Sequence, residues 1–132
     1  MNDQGALRKR YLRDGLPVRL GGLAANLARI TSFSDNDVNC ELVERLLNES
    51  KFFIEWTAGD ADIDTAAELV QLQLLLAAWQ WSWKRIWSDP VQRQRVTEQA
   101  RDWSGRVLER SGLLKQGDSH EDSARRSSCD MM

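Results

Sequence analysis

The chain has 132 residues, 42% of them hydrophobic, with a formal net charge of −2, two cysteines and six tryptophans. That is chain for one domain, large enough to bury a core without disulfides or metal. Its two distant cysteines, Cys40 and Cys129, suit a reducing compartment. The apolar run Leu74 to Trp79 is far short of the roughly 20 residues a membrane span needs. The opening residues contain no apolar stretch of the secretory kind. A soluble cytoplasmic protein is expected.

The charge is unevenly spread. Residues 1–30 carry Arg8, Lys9, Arg10, Arg13, Arg19 and Arg29 against Asp3 and Asp14, whereas residues 31–70 carry ten acids against Arg45 and Lys51. An average charge describes neither end, and each must be weighed separately as a contact surface.

In chain order, residues 3–14 predict a short basic helix with Leu7 and Tyr11 on one side and Leu12 beside them. Gly15 is expected to end it in the left-handed conformation, and Pro17 suits the first turn of the next helix. Leu20, Leu23, Leu27 and Ile30 then recur at helical spacing, with Phe33 after them. Among the small residues Gly21, Gly22, Ala24 and Ala25 the two glycines cost helix propensity, which points to close approach by a neighbouring backbone.

Ser34-Asp35-Asn36-Asp37 is dense in N-capping side chains and predicts the start of a third helix, ending near Gly59. One row of it holds Val38, Leu42, Leu46, Phe53 and Thr57, and an adjacent row holds Val43, Leu47 and Ile54.

Ile63 to Trp87 reads as a single long helix capped by the Asp60, Asp62, Asp64 group. Leu69, Leu72, Leu75, Leu76, Trp79, Trp83, Ile86 and Trp87 fall on one broad face. Val70, Leu74 and Trp81 fall opposite, with Ala77 and Ala78 alongside, leaving a second apolar strip that something must cover. Ser88-Asp89-Pro90 starts the last helix, where Val96, Ala100, Trp103 and Val107 align and Gly112 ends the run. Residues 115–132 are short, polar and charged, and predict a disordered tail.

The expected fold is all-α: a basic N-terminal helix or arm over residues 1–15, an antiparallel up-and-down four-helix bundle over 16–114, and the tail. The stretches LGGLAANLARI, SKFFIEWTA and LVQLQLLLAAWQ resemble a small uncharacterised all-helical protein family of cyanobacteria. The resemblance covers about residues 16–114 and implies a cytoplasmic cyanobacterial protein. It supplies no functional residues.

Enzymatic and metal chemistry find little support. Asp60, Asp62 and Asp64 open like a calcium-binding EF-hand loop, but the sixth and twelfth positions are Thr65 and Gln71 rather than Gly and Glu. A di-iron bundle needs inward carboxylates and Glu-x-x-His, yet the sole histidine, His120, lies in the tail, so Glu41, Glu44 and Glu55 read as surface acids. The same tail position removes the base of a Ser-His or Cys-His device, and Cys40 reads as a structural thiol. Gly21-Gly22 lies within a helical pattern and not after a strand, so it is no phosphate loop. No catalytic group, cofactor or metal is expected.

What remains is binding surface. Trp79, Trp83 and Trp87 could line a pocket for a flat ligand, but tryptophans four apart on a core-facing side ordinarily are core. Val70, Leu74 and Trp81 form the candidate protein-binding strip, unless the N-terminal helix folds back and lays Leu7, Tyr11 and Leu12 over it. The favoured function is a non-enzymatic interaction or assembly module that self-associates or docks on a protein partner. The alternative is a nucleic-acid-associated factor using Arg8, Lys9, Arg10 and Arg13 with Arg95, Arg106 and Arg110 of the last helix. In that helix Glu98, Asp102 and Glu109 interrupt the basic side.

Overall fold

A computed structural model describes residues 3–113 of the chain. Among them all regular structure is helical: α1 (Asp3–Leu12), α2 (Leu16–Phe33), α3 (Cys40–Thr57), α4 (Ile63–Trp81), α5 (Trp83–Ser88) and α6 (Pro90–Ser111), with single 3-10 turns on either side of α3. The tail expected over 115–132, with His120 and Cys129, lies outside the described residues.

Short polar side chains cap the 3-10 turn ahead of α3 and the starts of α4 and α6. Asn36 accepts from the Val38 N–H, Asp62 from the Thr65 N–H and Asp89 from the Val91 N–H, each at 3.0 to 3.1 Å, and Pro90 occupies the first turn after Asp89. Each bond satisfies a backbone donor that the helix itself leaves unpaired. Gly112, at φ 78°, ends α6 in the left-handed region that glycine adopts without penalty.

Three boundaries differ from expectation. Gly15 is extended (φ −69°, ψ 168°) and leads into α2, so α1 ends at Leu12 without a left-handed glycine. The Asn36 cap opens a 3-10 turn over Asp37–Asn39, which delays α3 to Cys40 and leaves Val38 outside the core at 81% exposed. The helix expected over 63–87 breaks at Ser82 (φ −119°, ψ 27°) into α4 and α5. At this break the polar requirement of buried indoles competes with helix continuity. Trp83 and Trp87 are both buried, and their Nε1–H groups donate at 3.0 Å to the carbonyls of Cys40 and Asp37 at the entrance to α3.

The core forms where the apolar rows meet. Leu20, Leu23, Leu27 and Ile30 of α2 face Val43, Leu47 and Ile54 of α3, Leu69, Leu72 and Leu76 of α4, and Val96, Ala100 and Val107 of α6; all are buried. In the row of α3 beginning at Leu42, Leu42 and Leu46 are partly buried and Phe53 and Thr57 buried, while the adjacent row Val43, Leu47, Ile54 is the central one. The expected close approach on α2 occurs against α6. Ser104 Oγ donates to the Ala24 carbonyl at 2.8 Å, and a Cβ on Gly21 would stand 2.9 Å from Leu113 Cδ1.

Cross-links fix the helix directions pair by pair. Thr31 bonds the Thr97 carbonyl while Ala24 meets Ser104, so α6 descends as α2 rises. Asn26 donates to Glu49 and Arg19 to the Trp56 carbonyl, so α3 runs opposite to α2. Gln73 donates to the Lys51 carbonyl and Gln80 to Asn48, so α4 runs opposite to α3.

The N-terminal helix packs on α3. Tyr11 stacks on Phe53 with centroids 4.0 Å apart, donates to the Arg19 carbonyl at 2.7 Å and accepts from Thr57 at 3.1 Å. Burial pushes its phenol up to about 12, with the Thr57 bond and Arg19 opposing the rise. Leu7 packs partly buried against the same core, and α1 is therefore committed to α3.

Candidate interaction surface on α4

The fourth helix carries apolar side chains on both sides because two rows of them share it. The inner row, Thr65, Leu69, Leu72, Leu76 and Trp79, is buried. An outer row runs Ile63, Ala67, Val70, Leu74, Ala77, Trp81. It advances in alternating steps of four and three, the spacing that keeps one seam along a helix facing a partner helix. Ile63 is 84% exposed, Val70 49%, Leu74 68% and Trp81 90%. A single exposed leucine is unremarkable on a protein surface, but four large apolar side chains in one line form a patch.

The flanks of this row are uncharged over most of its length. Gln73 and Gln80 are tied to α3 by their hydrogen bonds, and Lys51 Nζ donates to Gln80 Oε1 at 2.7 Å. Gln71 and Ala78 are exposed on the other flank. The acidic start of α4 divides its work. Asp60 pairs with the buried Arg19 at 3.1 Å, Asp62 caps the helix, and Asp64 is exposed. Hydrogen bonds from Thr65 hold the Asp62 carboxyl below the usual carboxylate range. Among the described residues no group of three His, Cys, Asp or Glu is placed to hold a metal.

The inner tryptophans serve as core. Trp79, Trp83 and Trp87 are buried, the rings of Trp83 and Trp87 lie 5.4 Å apart, and Arg93 stands 5.0 Å over Trp87 while pairing with Asp37 at 3.0 Å. Trp81 alone in this run points away from them into solvent.

The basic residues fall into separate settings. Arg8, Lys9, Arg10 and Arg13 are exposed on or just after α1, and Arg95 is exposed on α6. Arg106 lies 4.0 Å over the Trp103 ring and 3.5 Å from Glu68, and Arg110 makes a two-pronged bond to Glu68 at 3.3 and 3.2 Å. Arg110, with Arg106, holds the Glu68 carboxyl low, and Glu68 in turn pushes the Arg110 guanidinium up. Two of the three α6 arginines singled out by sequence thus join α6 to α4.

Ile63 and Ala67 extend the row beyond the three residues that sequence reasoning selected. Counting the four-three steps backwards from Trp81 finds both. The Tyr11–Arg19–Thr57 contact was also missed, since nothing local in the sequence pairs a tyrosine on α1 with a carbonyl of α2.

Among the described residues, fold and surface define an all-helical protein whose fourth helix carries an apolar seam that none of them covers. No family model, curated protein or solved structure matches the chain. Among the described residues no helix is long and apolar enough to cross a membrane.

Proposed function

We propose that this chain is a non-enzymatic helical interaction or assembly module that self-associates or docks on a protein partner through the outer face of α4. The observation that supports this is the exposure of Val70, Leu74 and Trp81 in line with Ile63 on a helix whose opposite face is fully buried. Burial of such a row on contact would supply the binding free energy, about 25 cal/mol per Å² of apolar surface before ordering costs. Trp81 is the natural anchor, because tryptophan is among the residues that dominate interface energetics. As architecture we propose the antiparallel up-and-down four-helix bundle of α2, α3, α4 and α6, with α1 appended to α3 and the Glu68 ion pairs joining α4 to α6. A cytoplasmic setting and kinship with the small helical proteins of cyanobacteria belong to the same proposal.

A nucleic-acid role is the second reading, supported by the exposed Arg8, Lys9, Arg10 and Arg13. The engagement of Arg106 and Arg110 by Glu68 weakens it. A photoreactive residue in place of Gln71, within the full chain in its own cell, tests the docking reading. A protein adduct at that position is expected, and its absence removes the reading. A salt series on purified protein separates the alternative, since phosphate contacts weaken steeply as salt rises and apolar docking does not.

A further inference from the structure

We propose that the outer face of α4 is filled by the same face of a second copy, with the two α4 helices antiparallel about a twofold axis. This rests on the reading of that face as a docking surface and names its occupant.

The first support is the order of side-chain sizes. Read from either end, the row Ile63, Ala67, Val70, Leu74, Ala77, Trp81 runs large, small, large, large, small, large. Reversed against itself, it sets Ile63 opposite Trp81 of the second copy, Ala67 opposite Ala77 and Val70 opposite Leu74. A twofold interface must be self-complementary in this way. The two alanine layers let the backbones come close, and the central Val–Leu layers straddle the axis. A parallel pair would instead stack Trp81 on Trp81 at one end.

The second support is charge. Asp62 and Asp64 flank the Ile63 end, and Lys84 and Arg85 follow Trp81; all four are exposed. Antiparallel copies bring the acids of one against the bases of the other at both ends, whereas parallel copies oppose like charges. Arg110 beside Asp62 and Glu44 beside Lys84 moderate this polarity without reversing it. Between the ends, Gln71 faces Gln71 of the second copy across the axis with no charge to repel, and among the described residues α1, lying on α3, leaves the row open.

One helix face is near the lower bound of stable interfaces, about 1,000 Å² in total. The dimer is therefore expected to dissociate on dilution.

The test uses the full chain with Cys40 and Cys129 replaced by serine, and sedimentation followed by oxidation of single-cysteine variants. Gln71→Cys should form a disulfide-linked dimer with itself. Asp64→Cys should not couple to itself but should couple to Ala78→Cys when the two variants are mixed. Trp81→Glu should weaken dimerisation by about 30-fold or more, as for an interface anchor, with helical circular dichroism unchanged. Self-coupling of Ala67→Cys in place of Gln71→Cys would overturn the antiparallel geometry. A chain that stays monomeric overturns the second copy altogether. The photoreactive residue at position 71 separates that failure from failure of the docking reading. An adduct with a different protein leaves docking standing with another occupant, and no adduct removes both.

Discussion

The phenol of Tyr11 donates to the backbone carbonyl of Arg19 at 2.7 Å and fastens the first helix to the turn that begins the second. Arg19 is itself buried, giving its guanidinium to the Trp56 carbonyl and to Asp60. Removing the hydroxyl takes the second bond from a carbonyl that α2 already uses and leaves the Thr57 hydroxyl without its acceptor, so Tyr11→Phe should cost about 1 to 3 kcal/mol. Urea unfolding followed by circular dichroism measures it.

Alkali should act through the same residue. The phenol is neutral in the folded chain up to about 12, against an ordinary value of 10.0. Its raised value means the folded state holds the proton more tightly, so this contribution is complete below about pH 10 and is lost as pH rises towards 12. Tyr11 is the sole tyrosine, so tyrosinate absorbance reports it directly. Tyr11→Phe should show a shallower loss of melting temperature over that interval.

At the acid end Glu68, like Asp62, is a sensitive group. Its carboxyl is held low chiefly by the bond from Arg110, so it favours the folded state above the ordinary carboxylate range, and that support is lost as pH falls through its folded value. Glu68→Gln should therefore lower stability slightly at neutral pH and have less effect in strong acid. Melting temperatures of the two proteins against pH would show the curves converging as pH falls.

The two rows of α4 should respond oppositely to truncation. Leu72 is wholly buried, and Leu72→Ala should cost about 2 to 5 kcal/mol. Leu74 is mostly exposed, and Leu74→Ala should stay within about 0.5 kcal/mol at dilutions where the chain is monomeric. Equal losses at both sites would mean that the outer row is packed within a single chain.

Deleting residues 1–15 should lower the melting temperature, because it removes the Tyr11 stack on Phe53 and the bond to Arg19. It should leave self-association in place, since α1 lies on α3 and not on the outer row. Unchanged stability would contradict the packing of Tyr11 described above.

Much of the helical framework was legible because it depends on local signals. Asp62 and Asp89 cap where short acids precede an apolar repeat, Gly112 ends α6 with positive φ, and Leu20, Leu23, Leu27 and Ile30 are buried at helical spacing. The misread points depend on distant partners. Ser82 breaks the long helix where Trp83 and Trp87 reach carbonyls more than forty residues away in sequence. Val38 belongs to the helical repeat by spacing but sits in a 3-10 turn. The outer strip was legible as an excess of apolar perimeter, and its exposure followed only from finding α1 on α3.

Solution mass by light scattering, over a range of protein concentrations and for the wild type beside Trp81→Glu, bears most directly on the role of the outer row. The wild type should climb from the mass of one chain towards that of two, while the variant stays at one and remains equally helical. A wild type that holds the mass of one chain at every concentration, indistinguishable from Trp81→Glu, would contradict pairing through α4.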